Sequence, residues 1–384
     1  MIYPFWFSLF FILYAYLGYL LLLWVLVHIR GDKESNHLDE GNTFRPSVTL
    51  IISAYNEEEV IEDKILNSVA LVYPKELLEI VVVSDASQDN TDRIAARYSG
   101  KGIVLRRYEG RIGKTECLNS AVPLARGDII IFSDANSLYD RNAVQELVKH
   151  FRDPRIGFVT GSTRYVSPLQ SDGIVEPIGI YSRLEMLTKD LESRIGSCVG
   201  ADGAIFAVRK GLYRQLKEFD INDLVIPFRI IAEGFRGVFE KEAFCLEHVA
   251  KSMKGEFYRQ VRITSRTIRA IVSNIVLLNP FRFGFYSIEL FSHKICKLCV
   301  PFFLIVCLIT NLLILDDGKA YAYMLFGQVA FYILAAIHAS ALPVKGLSSL
   351  LSIPKTFAVA NCAILWGWLK YFRGETYTTW RTGR

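Results

Sequence analysis

At 384 residues the chain is too long for one ordinary core, which points to two or more compact parts. Half of it is apolar (51%), with 25 Phe and 19 Tyr, a balance that leans toward a membrane protein. The net charge of +5 is small and Lys and Arg are spread out, which argues against a nucleic-acid binder with one dense basic face. It suits attraction to anionic lipid headgroups and phosphorylated substrates.

From Phe5 to Val27 the chain is apolar without one charged residue, long enough for a bilayer core of about 30 Å. It lacks the basic start and the small-residue cleavage site of a signal peptide, so residues 1–30 are expected to be a retained transmembrane anchor. The flank His28-Ile29-Arg30-Gly31-Asp32-Lys33 places its carboxyl end in the cytoplasm. Residues 31–46 are polar and read as a linker.

A soluble, cytoplasmic α/β domain is expected over 47–255. Apolar runs at 48–52, 78–83, 103–105 and 129–132 predict strands, and helical stretches follow from Glu57 to Ala70, from Thr91 to Tyr98, after Gly113 and after Asp140. This alternation predicts a mostly parallel sheet, in which ligands bind at the carboxyl ends of the strands. Residues 256–296 mix basic and aromatic residues with Ile and Leu, as interfacial amphipathic helices do. Within 297–342 two transmembrane helices are expected, near 298–315 and 320–342, around the turn Asp316-Asp317-Gly318-Lys319. In 343–384 a weaker apolar segment, 356–368, reads as an interfacial or re-entrant helix. Its basic tail then stays cytoplasmic, as the positive-inside tendency requires. The seven cysteines are odd in number and scattered, which excludes a disulfide framework. Cys296 and Cys299 form a CxxC with no second pair, and they read as packing thiols.

Polar motifs stand just past the predicted strand ends. They are Ser53-Ala54-Tyr55-Asn56-Glu57-Glu58, Ser84-Asp85 through Thr91, Gly113-Lys114 with Leu118-Asn119, and Ser133-Asp134-Ala135-Asn136. One Asp after a strand is usually a helix cap, but four such signals in order are hard to produce by capping alone. Downstream stand Val199-Gly200-Ala201-Asp202-Gly203-Ala204, Asp220-Ile221-Asn222-Asp223, and Arg259-Gln260-Val261-Arg262-Ile263.

Together these residues resemble the family 2 inverting glycosyltransferases, membrane-bound enzymes with a GT-A fold that include cellulose, hyaluronan and chitin synthases and bacterial exopolysaccharide transferases. The resemblance implies a Rossmann-like GT-A catalytic domain joined to transmembrane and interfacial helices. It implies that Tyr55, Asn56, Glu57 and Asp85 hold the base and ribose of a UDP-sugar, with Asp85 able to accept the imide N–H of uracil. Lys114 would face the diphosphate as a point charge. Asp134 opens the family's metal-binding Asp-x-Asp, whose last position is Asn136 here, so the pair would bind Mg²⁺ or Mn²⁺. Gly200, Asp202 and Gly203 correspond to the acceptor-side loop. Asp223 aligns with the catalytic base and Asp220 is the fallback. Of the family's Gln-x-x-Arg-Trp, Arg262 matches and would stabilise the diphosphate. Arg259 replaces the Gln on the donor side and Ile263 replaces the Trp. A plain reading of Arg259, Arg262, Arg266 and Arg269 is a basic face beside anionic lipid.

The resemblance therefore implies transfer of sugar from a nucleotide-diphosphate donor to a hydroxyl, in exopolysaccharide or cell-surface glycan synthesis at the bacterial inner membrane. A polysaccharide-export protein would be a natural partner. Two alternatives stay open: a lipid acceptor, such as polyprenyl phosphate or a sphingolipid-like alcohol, and an inactive protein that binds nucleotide sugar.

Overall fold

A computed structural model of the chain describes residues 1–30, 44–166, 180–248, 253–339 and 348–378. Most of the linker (31–43), the end of the segment expected over 320–342, and the tail Trp380-Arg381-Thr382-Gly383-Arg384 lie outside the described residues. The described chain divides into two compact units. One is mainly the α/β part around 44–248 together with 269–289. The other holds the N-terminal residues to Leu22, the 253–273 helix as far as Ile268, and 290–375.

The four apolar runs of the sequence form β1 (Val48–Ala54), β2 (Leu78–Asp85), β3 (Ile103–Tyr108) and β4 (Ile129–Asp134). Each is followed by a helix that returns the chain across a face of the sheet, namely Ile61–Val69, Thr91–Ala96, Lys114–Ala121 and Ala143–Lys149. β1 pairs in parallel with β2 and β4, and β2 with β3. Every residue of β1 is buried because helices cover both faces, as in other parallel sheets. Leu50, Ile52, Val82 and Ile131 fill one core with Ile61 and Ile65 from the first helix. Each such side chain contributes about 1.5–3 kcal/mol by leaving water.

Four further strands complete the sheet: β5 (Leu138–Tyr139), β6 (Ile156–Val166), β7 (Ile205–Arg209) and β8 (Arg236–His248). The order is β3-β2-β1-β4-β7-β6-β8-β5. The first half is parallel, as expected. The second half is mixed, since β7 runs antiparallel to β4 and β6, β8 is parallel to β6, and β5 is antiparallel to β8. Irregular register between β6 and β8 bends this half, with one shift between Thr160 and Ser162. The β4–β7 pairing sets Ser133 opposite Ile205, so the chain leaving β4 and the chain entering β7 share one edge.

Glu240 on β8 is nearly buried and receives bonds from His150 (2.7 Å), Lys149 (2.8 Å) and the Glu242 N–H (2.9 Å). Burial pushes its carboxyl up, but those donors outweigh it and hold the pKa at about 2 against an ordinary 4.5. A depressed carboxylate stabilises the fold above its unfolded pKa and loses that contribution as pH falls through the folded one. Acid unfolding of the wild type should therefore steepen between pH 4.5 and 2. The contribution is on the order of 3 kcal/mol. In Glu240→Gln the slope across this window should flatten, as urea melts at successive pH values would read.

Two helices, Ile2–Ile29 and Phe285–Leu313, are long and apolar enough to cross a membrane. The second begins earlier than the segment expected from 298, because Phe285–Leu290 continues into it without a break. The chain then turns at Leu315–Asp317 into the helix Lys319–Ala339, and Ser348–Phe372 is one long helix containing the 356–368 segment. The basic, aromatic stretch expected to lie along a membrane forms the helix Met253–Ser273 and the short turns Ile275–Leu278 and Pro280–Phe283. Gly367 lets the last helix meet the 253–273 helix, since a Cβ there would stand 2.5 Å from Thr264 Cγ2. Tyr14 and Ser292 share a hydrogen bond of 2.8 Å, and Trp368 Nε1 donates to the Leu298 carbonyl at 2.9 Å.

Candidate active site

The turns after β1 and β2 are built from one set of hydrogen bonds. Asn56 Oδ1 accepts the Gln88 N–H at 2.8 Å, and the Asn56 N–H donates to Ser87 Oγ at 3.2 Å. The Glu57 N–H donates to Thr91 Oγ1 at 2.8 Å, and Glu58 accepts from both nitrogens of Asn90. Asn56 (φ 51°) and Ala86 (φ 56°) lie in the left-handed region, which costs less for an asparagine than for an alanine. The motif residues Asn56, Glu57 and Glu58 are thus held by the second motif, Ser84–Thr91.

Asp85 ends β2 fully buried. Both its oxygens accept the Gly113 N–H at 3.1 Å, and Arg111 Nε lies 3.7 Å away. Its carboxylate therefore seats the strap 109–113, and contact with a nucleotide base would require that strap to shift. Arg111, which sequence reasoning passed over, also places its guanidinium 3.2 Å from the centroid of the Tyr55 ring. The signal was present: an arginine between two glycines ahead of a lysine, in Gly110-Arg111-Ile112-Gly113-Lys114. Three of these positions, Gly110, Arg111 and Gly113, have positive φ, so the strap is a tight reversal that presents Lys114 as the first residue of its helix.

Lys114 Nζ bonds Asp134 Oδ1, joining the third motif to the fourth. The Asp134 side chain is 38% exposed at the open edge of the sheet, and Asn136 is half-buried in the same turn. One carboxylate and one amide oxygen suit a hard divalent ion that takes its remaining ligands from a diphosphate and water. Among the described residues no three His, Cys, Asp or Glu side chains form a self-sufficient metal cage.

In the 199–204 loop, Gly203 faces Asp223. A Cβ at 203 would stand 3.0 Å from Asp223 Oδ2, so only glycine lets that carboxylate lie this close to the loop. The Asp223 carbonyl accepts the Ala201 N–H at 2.8 Å, and Gly200 packs on Leu224. Asp223 itself opens the helix Asn222–Ala232 and is half-buried. Asp202 is bound up in the loop: its carboxylate accepts from the Thr163 N–H (3.0 Å), Thr163 Oγ1 (2.9 Å) and the Ala204 N–H (3.1 Å). It positions the loop against β6. Asp220 is likewise engaged, accepting the Lys217 N–H at 2.9 Å and pairing with Arg229 at 3.1 Å. Thr115, the residue after Lys114, donates to the Asp220 carbonyl at 3.0 Å, which ties the Lys114–Ala121 helix to the segment carrying Asp223.

Arg259 and Arg262 lie on the helix Met253–Ser273, within the helical unit. Arg259 is exposed and grips Glu256 through two bonds of 2.7 Å.

Residues 49–215 match the family profile described as "Glycosyl transferase family 2". Poly-beta-1,6-N-acetyl-D-glucosamine synthase of Staphylococcus aureus (strain COL) is 27% identical over 222 residues, covering 56% of this chain and 53% of that protein. The Staphylococcus epidermidis synthase of the same name is 23% identical over 221 residues, with the same shares. The chain thus spans about half the length of the curated relatives it matches. Among solved structures, the mannosyltransferase PcManGT from Pyrobaculum calidifontis, in complex with GDP-Man and Mn²⁺, superposes with a TM-score of 0.72. It is 20% identical and the match covers 96% of this chain and 98% of that one, a likeness of fold. On its motifs, its mixed Rossmann-like sheet and this match, the chain carries a glycosyl transferase family 2 domain with the GT-A fold.

Proposed function

We propose that the protein is a metal-dependent inverting glycosyltransferase that moves a sugar from a nucleotide-diphosphate donor, UDP-linked, to a hydroxyl acceptor at the cytoplasmic face of a membrane. The observation that carries this is the linked run Asp134–Lys114–Thr115–Asp220 and then Asp223–Gly203 along one edge of the sheet. It sets a cation and a carboxylate suited to a diphosphate beside a second carboxylate, that of Asp223, packed on Gly203.

In this reading Tyr55, Asn56 and Glu57 receive the nucleoside, and Arg111 leaves the Tyr55 ring for the base to stack on. Lys114 moves from Asp134 to the diphosphate, and Asp134 with Asn136 holds Mg²⁺ or Mn²⁺. A divalent ion there neutralises the charge that builds on the departing diphosphate. Asp223 accepts the proton of the acceptor hydroxyl as its oxygen attacks the anomeric carbon. The bond to the diphosphate breaks on the opposite side, so configuration inverts.

Resemblance to the poly-N-acetylglucosamine synthases supports a growing surface glycan as acceptor, with UDP-N-acetylglucosamine the first donor to test. One observation favours a lipid acceptor instead. The acceptor-side loop is tied to the start of a candidate membrane helix, Tyr286 Oη donating to the Val199 carbonyl at 3.1 Å. The experiment is release of the nucleoside diphosphate by purified protein in nanodiscs, with UDP-sugars and GDP-mannose, Mn²⁺ or Mg²⁺, and native lipid. Release from one donor, stopped by EDTA, is the expected result. Product in the organic phase would select the lipid acceptor. Donor binding with no release under any condition would replace the enzyme reading with that of an inactive binding protein.

A further inference from the structure

Lys64 lies in the middle of the helix Ile61–Val69, on the face turned to the sheet, and is 0% exposed. An ammonium in that setting is costly unless its donors are used, and a leucine or methionine would satisfy the core. Its Nζ donates to the Ser137 carbonyl and stands 3.9 Å from the centroid of the Tyr139 ring. Burial lowers its pKa to about 7, against the pull of Cys245, Asp134 and Glu247.

Ser137 closes the turn that Asp134 opens. Its N–H donates to the Asp134 carbonyl at 3.3 Å, and its Oγ donates to Glu247 Oε1 on β8 at 2.5 Å. Asn67, one helical turn beyond Lys64, accepts the Tyr139 N–H at 2.8 Å and donates to its carbonyl at 2.9 Å. The Tyr139 hydroxyl stands 3.0 Å from the carbonyls of both Phe132 and Ala204. One helix face thus grips 137–139 from below, directly behind Asp134-Ala135-Asn136. The Ser137 carbonyl, in a fully buried residue, needs a donor long enough to reach it through the core, and lysine supplies one.

We propose that Lys64 is a positioning residue for the divalent-cation end of the donor site: through the Ser137 carbonyl it holds the 134–136 turn so that Asp134 and Asn136 face a metal–diphosphate together. This rests on the function proposed above. Groups that orient metal ligands from behind typically change metal affinity by about 10–100-fold when removed.

The test is calorimetric binding of UDP and of GDP to the full-length protein in nanodiscs, with Mn²⁺ titrated and with Mn²⁺ absent. Lys64→Met is expected to raise the Mn²⁺ needed for half-maximal binding by about tenfold or more, while metal-free nucleotide binding stays at the wild-type level. Lys64→Arg keeps a cation and donors, and should recover most of the loss. Should Lys64→Met fail to unfold cooperatively, Lys64→Gln takes its place, with the same direction expected. An unchanged Mn²⁺ requirement, or equal loss of binding with and without Mn²⁺, overturns the positioning role and leaves the proposed function standing. A wild type that binds neither nucleotide with Mn²⁺ overturns the proposed function, and this role with it.

Discussion

Asp223→Asn is expected to lower sugar transfer by about 10²–10⁴-fold while leaving nucleotide-diphosphate binding at the wild-type level. The amide keeps the shape of the side chain but cannot take a proton from the attacking hydroxyl. Asp223 packs on Gly203, and its main-chain carbonyl, which the substitution spares, anchors the 199–204 loop through Ala201. The variant should therefore fold normally. Asp220→Asn provides the contrast. That carboxylate is spent on Arg229 and the Lys217 N–H. Its loss should lower the unfolding midpoint while turnover per folded molecule stays near wild type. Equal turnover defects in the two variants, measured as nucleoside-diphosphate release at saturating donor, would remove Asp223 from the role of base.

Asp134→Ala is expected to abolish the metal-dependent part of donor binding and to lower transfer by about 10²–10³-fold, the scale at which a single preorganised electrostatic contact to the transition state acts. Asp134 is the carboxylate in the Asp134–Asn136 pair, so its removal leaves a neutral amide to attract a divalent ion. It also releases Lys114, whose ammonium then has the diphosphate as its counter-charge. Metal-independent nucleotide binding should accordingly persist or tighten. Asn136→Asp should act in the opposite sense, adding a second carboxylate and lowering the Mn²⁺ needed for half-maximal binding. Titration of Mn²⁺ against binding of UDP, with Asp134→Ala and Asn136→Asp in parallel, reads both signs. A metal requirement that ignores both substitutions would place the ion elsewhere.

The parallel half of the sheet was legible because its strands are continuous apolar runs, buried on both faces. β6 and β8 were not. Ile156–Val166 and Arg236–His248 mix charged and apolar residues, and irregular register interrupts any simple alternation. The long last helix was read short because Pro354 and its polar neighbours dilute the apolar signal near its start.

The sequence by itself determined the family 2 domain and which residues are candidates for chemistry, because short polar motifs at strand ends are local and survive in linear order. Only the tertiary structure decided how those candidates are engaged. Asp202 and Asp220 look like Asp223 in one dimension, yet the first two are bound up by Thr163 and Arg229, contacts made across β6 and along a helix that spacing cannot foresee. Asp85 proved to be the buried seat of the 109–113 strap, with Arg111 stacked on Tyr55 beside it. In the sequence, Lys64 is one more charge beside Glu62 and Asp63. It is the packing of its helix against the sheet that buries the ammonium under the Asp134 turn, where the cost of desolvation is offset only by the carbonyl and ring that the fold brings to it.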